Sequence, residues 1–383
     1  VIQRERRPAG DSGAVVFEDV LELPELDTNL GGLDANTSSR DCAGRFIVPE
    51  DGVYRVMVRD LFHSGAGSPQ FPYWLSVRRP TPDFGLVAVL PQPPRQNDND
   101  RAVHTVTPTL RAGQTRAIRV LALRRDGFDG EIALSVTGLP EAVSATAVGI
   151  PAGQNAGQVL VTASDVLPAG VDMGLVQIVG RAAGTATNTP SVDRRAVWTA
   201  LSRAVSDSNE QAVVPRFARE PVLGLCRAEP APVSVWATNA ELQAVLNGKL
   251  VIPVEAVRRG EFPGAISLKP MGRAEWDPVK PAVLVEKATN AVLEFDLSGA
   301  KLPEGVHTLW LQGTVAGKYR DRPEALAEAE AELKAAEDAL KSATESEKAP
   351  LEQRRQQAEA KRKAAEERAK PRDVTFVVAS RPL

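Results

Sequence analysis

Two stretches of this chain are copies of one another, and that repeat most narrows the architectures open to it. Arg124-Arg125-Asp126-Gly127-Phe128-Asp129-Gly130-Glu131-Ile132-Ala133-Leu134 aligns with Arg258-Arg259-Gly260-Glu261-Phe262-Pro263-Gly264-Ala265-Ile266-Ser267-Leu268 at an offset of 134; both arginines, the Phe, the second Gly, the Ile and the Leu are retained. Further on, Leu167-Pro168-Ala169-Gly170-Val171 aligns with Leu302-Pro303-Glu304-Gly305-Val306 at an offset of 135. Motifs that keep their separation in both copies mean that one supersecondary unit has been built twice. Each copy reads strand, Gly-containing turn, strand, Leu-Pro-x-Gly-Val corner and strand, with β-branched residues in the runs. That rhythm predicts an immunoglobulin-like sandwich of about 100 residues, without the Cys-Trp-Cys pattern of antibody domains.

The second copy carries an addition. Residues 323–370 contain no Gly and consist largely of Ala, Glu, Lys, Arg and Gln, a helical composition. Leu326, Leu333 and Leu340 recur every seven residues, and Ala329, Ala336 and Ala343 fill the other seam position of the heptad. Pro350 breaks the pattern and suits the first turn of a second helix. The first arm (323–343) has a net charge of −4 and the second (351–370) of +3. Opposite signs on chain neighbours predict an antiparallel hairpin, each arm about 30 Å long at 1.5 Å per residue. Pairing of the leucine seam with another chain is the other reading. Beyond the helices, Val374, Phe376 and Val378 alternate in a strand over 373–379, so the hairpin is an insertion whose ends must lie close together.

Toward the start, Tyr54, Val56 and Val58 alternate with Arg55, Met57 and Arg59, and Tyr73, Leu75 and Val77 repeat the pattern. With the Asp51-Gly52 turn and a Gly-rich connection at 63–69, the two segments predict an antiparallel β-hairpin. Residues 91–100, PQPPRQNDND, read as a linker or an exposed crossover.

The stretch Asp41 to Arg79 has Phe46-Ile47-Val48-Pro49-Glu50-Asp51-Gly52-Val53-Tyr54-Arg55-Val56 at its centre and then Val58-Arg59-Asp60-Leu61. It resembles the C-terminal half of bacterial pre-peptidase C-terminal (PPC) domains, which are jelly-roll-like β-sandwiches. The Arg124–Ile132 unit and the alanine-rich hairpin closed by Lys370-Pro371-Arg372-Asp373-Val374 look like the arrangement in large exported proteins of planctomycetes. This resemblance implies a secreted, periplasmic or cell-surface protein of successive sandwich modules. PPC domains have strands upstream of the part matched by Val15 to Arg79, so a longer polypeptide is expected, with any export signal or catalytic domain before Val1.

Composition removes several function classes. Lys plus Arg total 46 against 49 Asp plus Glu, a net charge of −3 over 383 residues, so no one-signed field favours nucleic acid or an anionic membrane. The helices hold no aromatic side chain for base stacking. No apolar run reaches a membrane-spanning length of about 18 residues. Cys42 and Cys226 match neither a zinc spacing nor a small disulfide framework; two isolated buried thiols and an inter-domain disulfide both remain open.

Candidate sites are few. Asp11-Ser12-Gly13-Ala14 has the form of an aspartic-protease turn, but no second such turn supplies the dyad, so a polar β-turn is the reading. No G-x-S-x-G occurs, and His63, His104 and His307 fall in a Gly-rich loop, a linker edge and a strand. Asp27, Asp34 and Asp41, with Asn29 and Asn36, are candidate oxygen ligands for calcium, although their spacing is not that of an EF-hand; a solvated loop is the simpler reading. The arginine pairs 124–125 and 258–259 either end a strand in solvent or meet a carboxylate at a domain junction.

The expected organisation is therefore mainly β: a PPC-like part to residue 80, an Ig-like sandwich over 81–220, and a second over 221–383 with a helical insertion at 323–370. The expected role is non-catalytic, a structural or adhesive module of an extracellular protein. It is expected to need no cofactor unless calcium binds, and to have a protein partner or self-assembly as its likeliest-fitting contact, with a surface glycan as a further partner class. Alternatives are the accessory region of an exported hydrolase or peptidase, and a subunit of an ordered filament or surface layer, with Leu326, Leu333 and Leu340 as interaction residues.

Overall fold

A computed structural model describes residues 1–6, 14–32, 34–58, 72–90, 108–168, 173–183, 191–199, 216–239, 241–259, 262, 264–298, 304–319, 323–344 and 348–383. Strands dominate these residues, and the two α-helices stand together near the end.

The first part contains β1 (Ile2–Arg6), β2 (Val16–Leu21), β3 (Glu25–Leu26), β4 (Ser39–Cys42) and β5 (Tyr54–Val56). β1 is the centre of an antiparallel sheet ordered β2-β1-β5, and β3 pairs with β4. The hairpin expected between the Tyr54 and Tyr73 segments does not form. β5 pairs with β1 through Ile2↔Val56 and Arg4↔Tyr54, while Tyr73, Leu75 and Val77 lie exposed outside any strand. Alternation sets the extended conformation of a segment but not which backbone edge it meets. The partner here, IQRER, is held by polar contacts: Gln3 donates to Asp19 of β2 and accepts from Arg55 of β5.

The first sandwich comprises β6 (Asp83–Val89), β7 (Thr109–Ala112), β8 (Thr115–Arg125), β9 (Ala133–Thr137), β10 (Val143–Val148), β11 (Ala156–Ala163), β12 (Met173–Leu175), β13 (Gln177–Ala182), β14 (Val192–Thr199), β15 (Phe217–Ala218) and β16 (Val222–Pro230). One layer runs β10-β11-β8-β6 and the other β14-β13-β9; β6 joins them by pairing antiparallel with β8 and parallel with β14. Alternate residues Phe84, Leu86 and Ala88, Ile118, Val120 and Ala122, and Val159 and Val161 face the core between the layers. Burial of each large apolar side chain contributes about 1.5–3 kcal/mol, which makes this interior the main stabilising element of the unit.

The second sandwich comprises β17 (Val233–Ala237), β18 (Lys249–Arg258), β19 (Ile266–Met271), β20 (Ala282–Leu284), β21 (Asn290–Asp296), β22 (Trp310–Tyr319) and β23 (Arg372–Ala379). Its layers, β17-β18-β21 and β20-β19-β22-β23, repeat the pairings of β6-β8-β11 and β9-β13-β14. Even the parallel contact recurs, as the bridge Val235↔Ser380. The core residues Ile252, Val254, Ala256, Leu293 and Phe295 stand 134 positions after Ile118, Val120, Ala122, Val159 and Val161. One difference is local: where the first unit has β10, the second has a 3-10 turn at Ala274–Trp276 that buries Trp276 edge-on to Phe295, with ring centroids 6.1 Å apart.

The repeated motif does the same work twice. Phe128 and Phe262 are both buried. Arg124 donates from Nε to Gln154 O (2.9 Å), from Nη1 to Gly130 O (2.7 Å) and from Nη2 to Pro151 O (2.9 Å). Arg258 donates from Nε to Ala288 O (3.3 Å), from Nη1 to Gly264 O (2.6 Å) and from Nη2 to Val285 O (3.0 Å). All three acceptors are displaced by 134 residues, so the first arginine of each pair uses its planar fork to satisfy the carbonyls of two neighbouring turns. The other shared motif, Leu-Pro-x-Gly-Val, lies partly outside the described residues, as do the linker at 91–100, Asp11 to Gly13, His63 and His104.

The two cores divide between Leu225, which belongs to the first, and Val233, which opens the second, later than residue 220. β16 accounts for this: it pairs with β12 and β7 of the first unit before the chain crosses over.

Candidate functional site

Two features stand out: the joint between the sandwiches and the helical hairpin. At the joint, Leu160 with Ala117 and Val148 of the first unit packs against Trp310 with Met271 and Ala379 of the second; Leu160 and Trp310 are 0% and 1% exposed. Ala379 of β23 bridges to Thr115 of β8, so the sheets of the two units are continuous. The Arg111 guanidinium lies over the Phe376 ring, 5.3 Å from its centroid. Such a contact adds about 0.5–1 kcal/mol where solvent reaches it. Burial lowers the pKa of neighbouring Arg116 from the ordinary arginine value, and the charge of Arg111 adds to the effect.

Polar groups fix the rest of the joint. Asp165 of the first unit meets Arg381 at 3.0 Å and Arg259 at 3.9 Å. Arg259 also donates to Ser234 Oγ (2.8 Å) and Ala231 O (3.0 Å), and Ser234 donates to Gly113 O (3.1 Å). Gly113 has φ +70, and a Cβ there would come within 2.6 Å of Asp165 Oδ1, so glycine is the residue that fits. The second arginine of the later pair thus meets a carboxylate between domains, one of the two readings left open by the sequence. Beside the ion pair, a groove of about 390 Å³ is lined by residues including Val143, Ser144, Thr162 and Asp165; its two charged groups, Asp165 and Arg381, bind each other.

Sequence comparison of the units explains why only one of these sheet faces is docked. At the positions of Leu160 and Leu121 the second unit has Glu294 and Glu255, and its Val251, opposite number of Ala117, is 54% exposed. The carboxylates keep that face in water. On the first unit, Leu121 with Val87 and Val89 is instead covered by Leu30 and Ala35. Asn29 shapes this covering loop by accepting from the N–H groups of Gly31, Gly32 and Thr37 at 3.2, 3.0 and 3.3 Å. Arg119 anchors it with a bond to Leu30 O at 3.1 Å.

The hairpin consists of α1 (Pro323–Lys341) and α2 (Lys348–Ala369), set between β22 and β23, whose ladder runs from Gln312↔Ala379 to Tyr319↔Arg372. Ala329 and Ala336 of α1 and Ala358 and Ala369 of α2 are its buried residues, while Leu326, Leu333 and Leu340 are half-buried. Arg355 and Arg362 fall on the α2 seam, half-buried, in the manner of long stems covering apolar surface. Lys361 reaches Glu332 across the hairpin. Arg355 pairs with Glu352 (2.7 Å) and Glu359 (3.3 Å), which holds Glu352 below the usual carboxylate range. The Lys363 ammonium does the same for Glu359.

The remaining sequence candidates are not assembled into a centre. Among the described residues no three metal-ligating side chains cluster, so Asp27, Asp34 and Asp41 do not form a shared calcium site; Asp41 instead accepts from Ser39 Oγ at 3.1 Å. Cys42 is exposed and Cys226 half-buried, and both are free thiols, in place of the expected buried pair or disulfide. His307 Nδ1 lies 3.2 Å from Arg273 Nη1. No helix among the described residues is long and apolar enough to cross a membrane. The joint residues Leu160, Asp165, Trp310 and Arg381 were not singled out in the sequence. The available signal was the run Val120-Leu121-Ala122-Leu123, apolar on both faces of β8, against the alternating KLVIPVEAVR of β18.

No protein-family model matches the chain, and no curated protein matches it. Among solved structures, domains 5-6 of the S-layer protein SbsC are 12% identical, covering 56% of this chain and 89% of that one, with a TM-score of 0.21. The fibronectin(III)-like modules of Clostridium thermocellum CbhA are 9% identical, covering 56% and 85%, with a TM-score of 0.15.

Proposed function

We propose that this chain is a non-catalytic structural module of a secreted or cell-surface protein, a stiff two-sandwich spacer that holds a helical hairpin at a set orientation. The observation that carries the reading is the joint. A flexible string of domains meets through small, polar contacts. Here Leu160 and Trp310 are buried between units, a sheet continues across them, and Asp165 draws on two arginines of the second unit. These groups spend their chemistry on fixing geometry. The extracellular location rests on the resemblance of residues 41–79 to PPC domains.

The test is a distance measurement between the units. In a Cys42→Ser/Cys226→Ser background, spin labels at Glu141→Cys and Glu294→Cys are expected to give one narrow distance distribution in pulsed electron paramagnetic resonance. A broad distribution, as from freely jointed domains, would remove the basis for the spacer role.

A further inference from the structure

The two sides of the hairpin carry opposite charge at the same spacing. On α2, Arg354, Lys361 and Arg368 recur every seven residues along one side of the Leu351–Ala358–Ala365 seam, and Glu352, Glu359 and Glu366 recur every seven along the other. The pairs across the hairpin show how α1 completes each side. Glu332 meets Lys361 on the basic side, and Glu337 acts on Arg355 from the acidic side, which also holds Glu330 by its heptad position. The acidic side therefore holds five carboxylates against Arg355, Arg362 and Lys363, and the basic side three cations against Glu332. Arg354, Arg368 and Glu330 are exposed and make no ion pair among the described residues.

We propose that this hairpin binds a second copy of the same chain, the acidic side of one against the basic side of the next. Charge complementarity selects the partner. The two stripes on α2 have equal pitch and equal length, about 21 Å for fourteen residues, so a copy translated sideways in the same orientation brings every cation opposite a carboxylate. A contact between two different sides of one molecule is heterologous and propagates as a row rather than closing as a dimer. The need for it is legible in packing: two helices whose buried residues are alanines, with half-buried leucines between them, form a thin structure that a neighbour would complete. This inference adds the partner to the structural role proposed above, but the stiffness of the joint does not depend on it.

The experiment is sedimentation velocity of the whole chain over a range of concentrations at low ionic strength, with helix content followed by circular dichroism. The wild-type chain is expected to associate, and to dissociate as salt shortens the screening length to about 3 Å near 1 M. Arg354→Glu/Arg368→Glu makes both sides acidic, and Glu330→Lys/Glu337→Lys makes both more basic. Each variant alone is expected to associate at least about tenfold more weakly, as two to four exposed pairs lost or reversed would give. An equimolar mixture of the two is expected to associate again. If a charge reversal lowers the helix signal, Arg354→Gln/Arg368→Gln replaces it, with the same weakening expected. A chain that stays monomeric at all concentrations, a reversal without effect, or a mixture that remains dissociated would each overturn the proposal. None of these outcomes alters the inter-unit distance that tests the spacer role.

Discussion

Asp165 and Arg381, separated by 216 residues in sequence, meet at 3.0 Å and join the end of one sandwich to the last residues of the next. Both side chains are about half exposed. Asp165→Ala is therefore expected to lower stability by no more than about 1 kcal/mol, with the loss shrinking in high salt. Its larger effect should be a broader inter-unit distance distribution, read with the labels described above.

Leu160→Glu gives the first unit the residue that its repeat counterpart has at position 294. Against Trp310 a carboxylate would be buried without a partner, at a cost of several kcal/mol. The unit cores themselves are untouched. Chemical denaturation should change from one transition to two, and a single unshifted transition would contradict the joint as described.

Arg258→Lys keeps the charge but not the fork that reaches the carbonyls of Phe262, Gly264, Leu284, Val285 and Ala288. A loss of about 1.5–3 kcal/mol is expected, since one ammonium cannot reach all these carbonyls. Arg124→Lys should have a similar effect in the first unit. Unequal losses in the two units, measured by denaturant titration, would count against their equivalence.

The Arg78 guanidinium and the Thr81 N–H hold the Asp126 carboxyl below its ordinary range. Because its folded value is depressed, the docking of residues 78–81 is fully supported above the unfolded carboxylate value and is lost as pH falls through the folded one. Hydrogen exchange at Thr81 should therefore accelerate on acidification, and Asp126→Asn should make exchange there fast and insensitive to pH over that window.

Replacing residues 320–371 by Asn-Gly joins Tyr319 to Arg372, which already face each other as the last pair of the β22–β23 ladder. A two-residue turn suits that geometry. The sandwich should unfold within about 1 kcal/mol of the full chain, because few contacts outside the hairpin are removed. A collapse in stability would show that the helices support the β body.

Much of the second half of the fold was legible because it rests on local periodicity. The offset of 134 predicted matching surroundings for Phe128 and Phe262, the seven-residue spacing predicted α1, and the alternation of Val374, Phe376 and Val378 predicted the strand that follows the hairpin. What escaped the sequence depends on who neighbours whom. Tyr73 to Val77 alternates as a strand but has no partner, and β1 was read as a charged start because its strand pairing is held by Gln3, Asp19 and Arg55 rather than by apolar residues. The joint was missed for the same reason. Leu160 looks like one more core residue until its outward direction on β11 and the Trp310 beneath it are known.

The placement of the hairpin also sets an order of events during synthesis. β23 and Arg381, which supply Ala379 and the guanidinium that reach the first unit, emerge from the ribosome only after both helices have been made. The leading sandwich has every strand it needs long before then, whereas the trailing one lacks its closing strand and the coupling between them waits on that final segment.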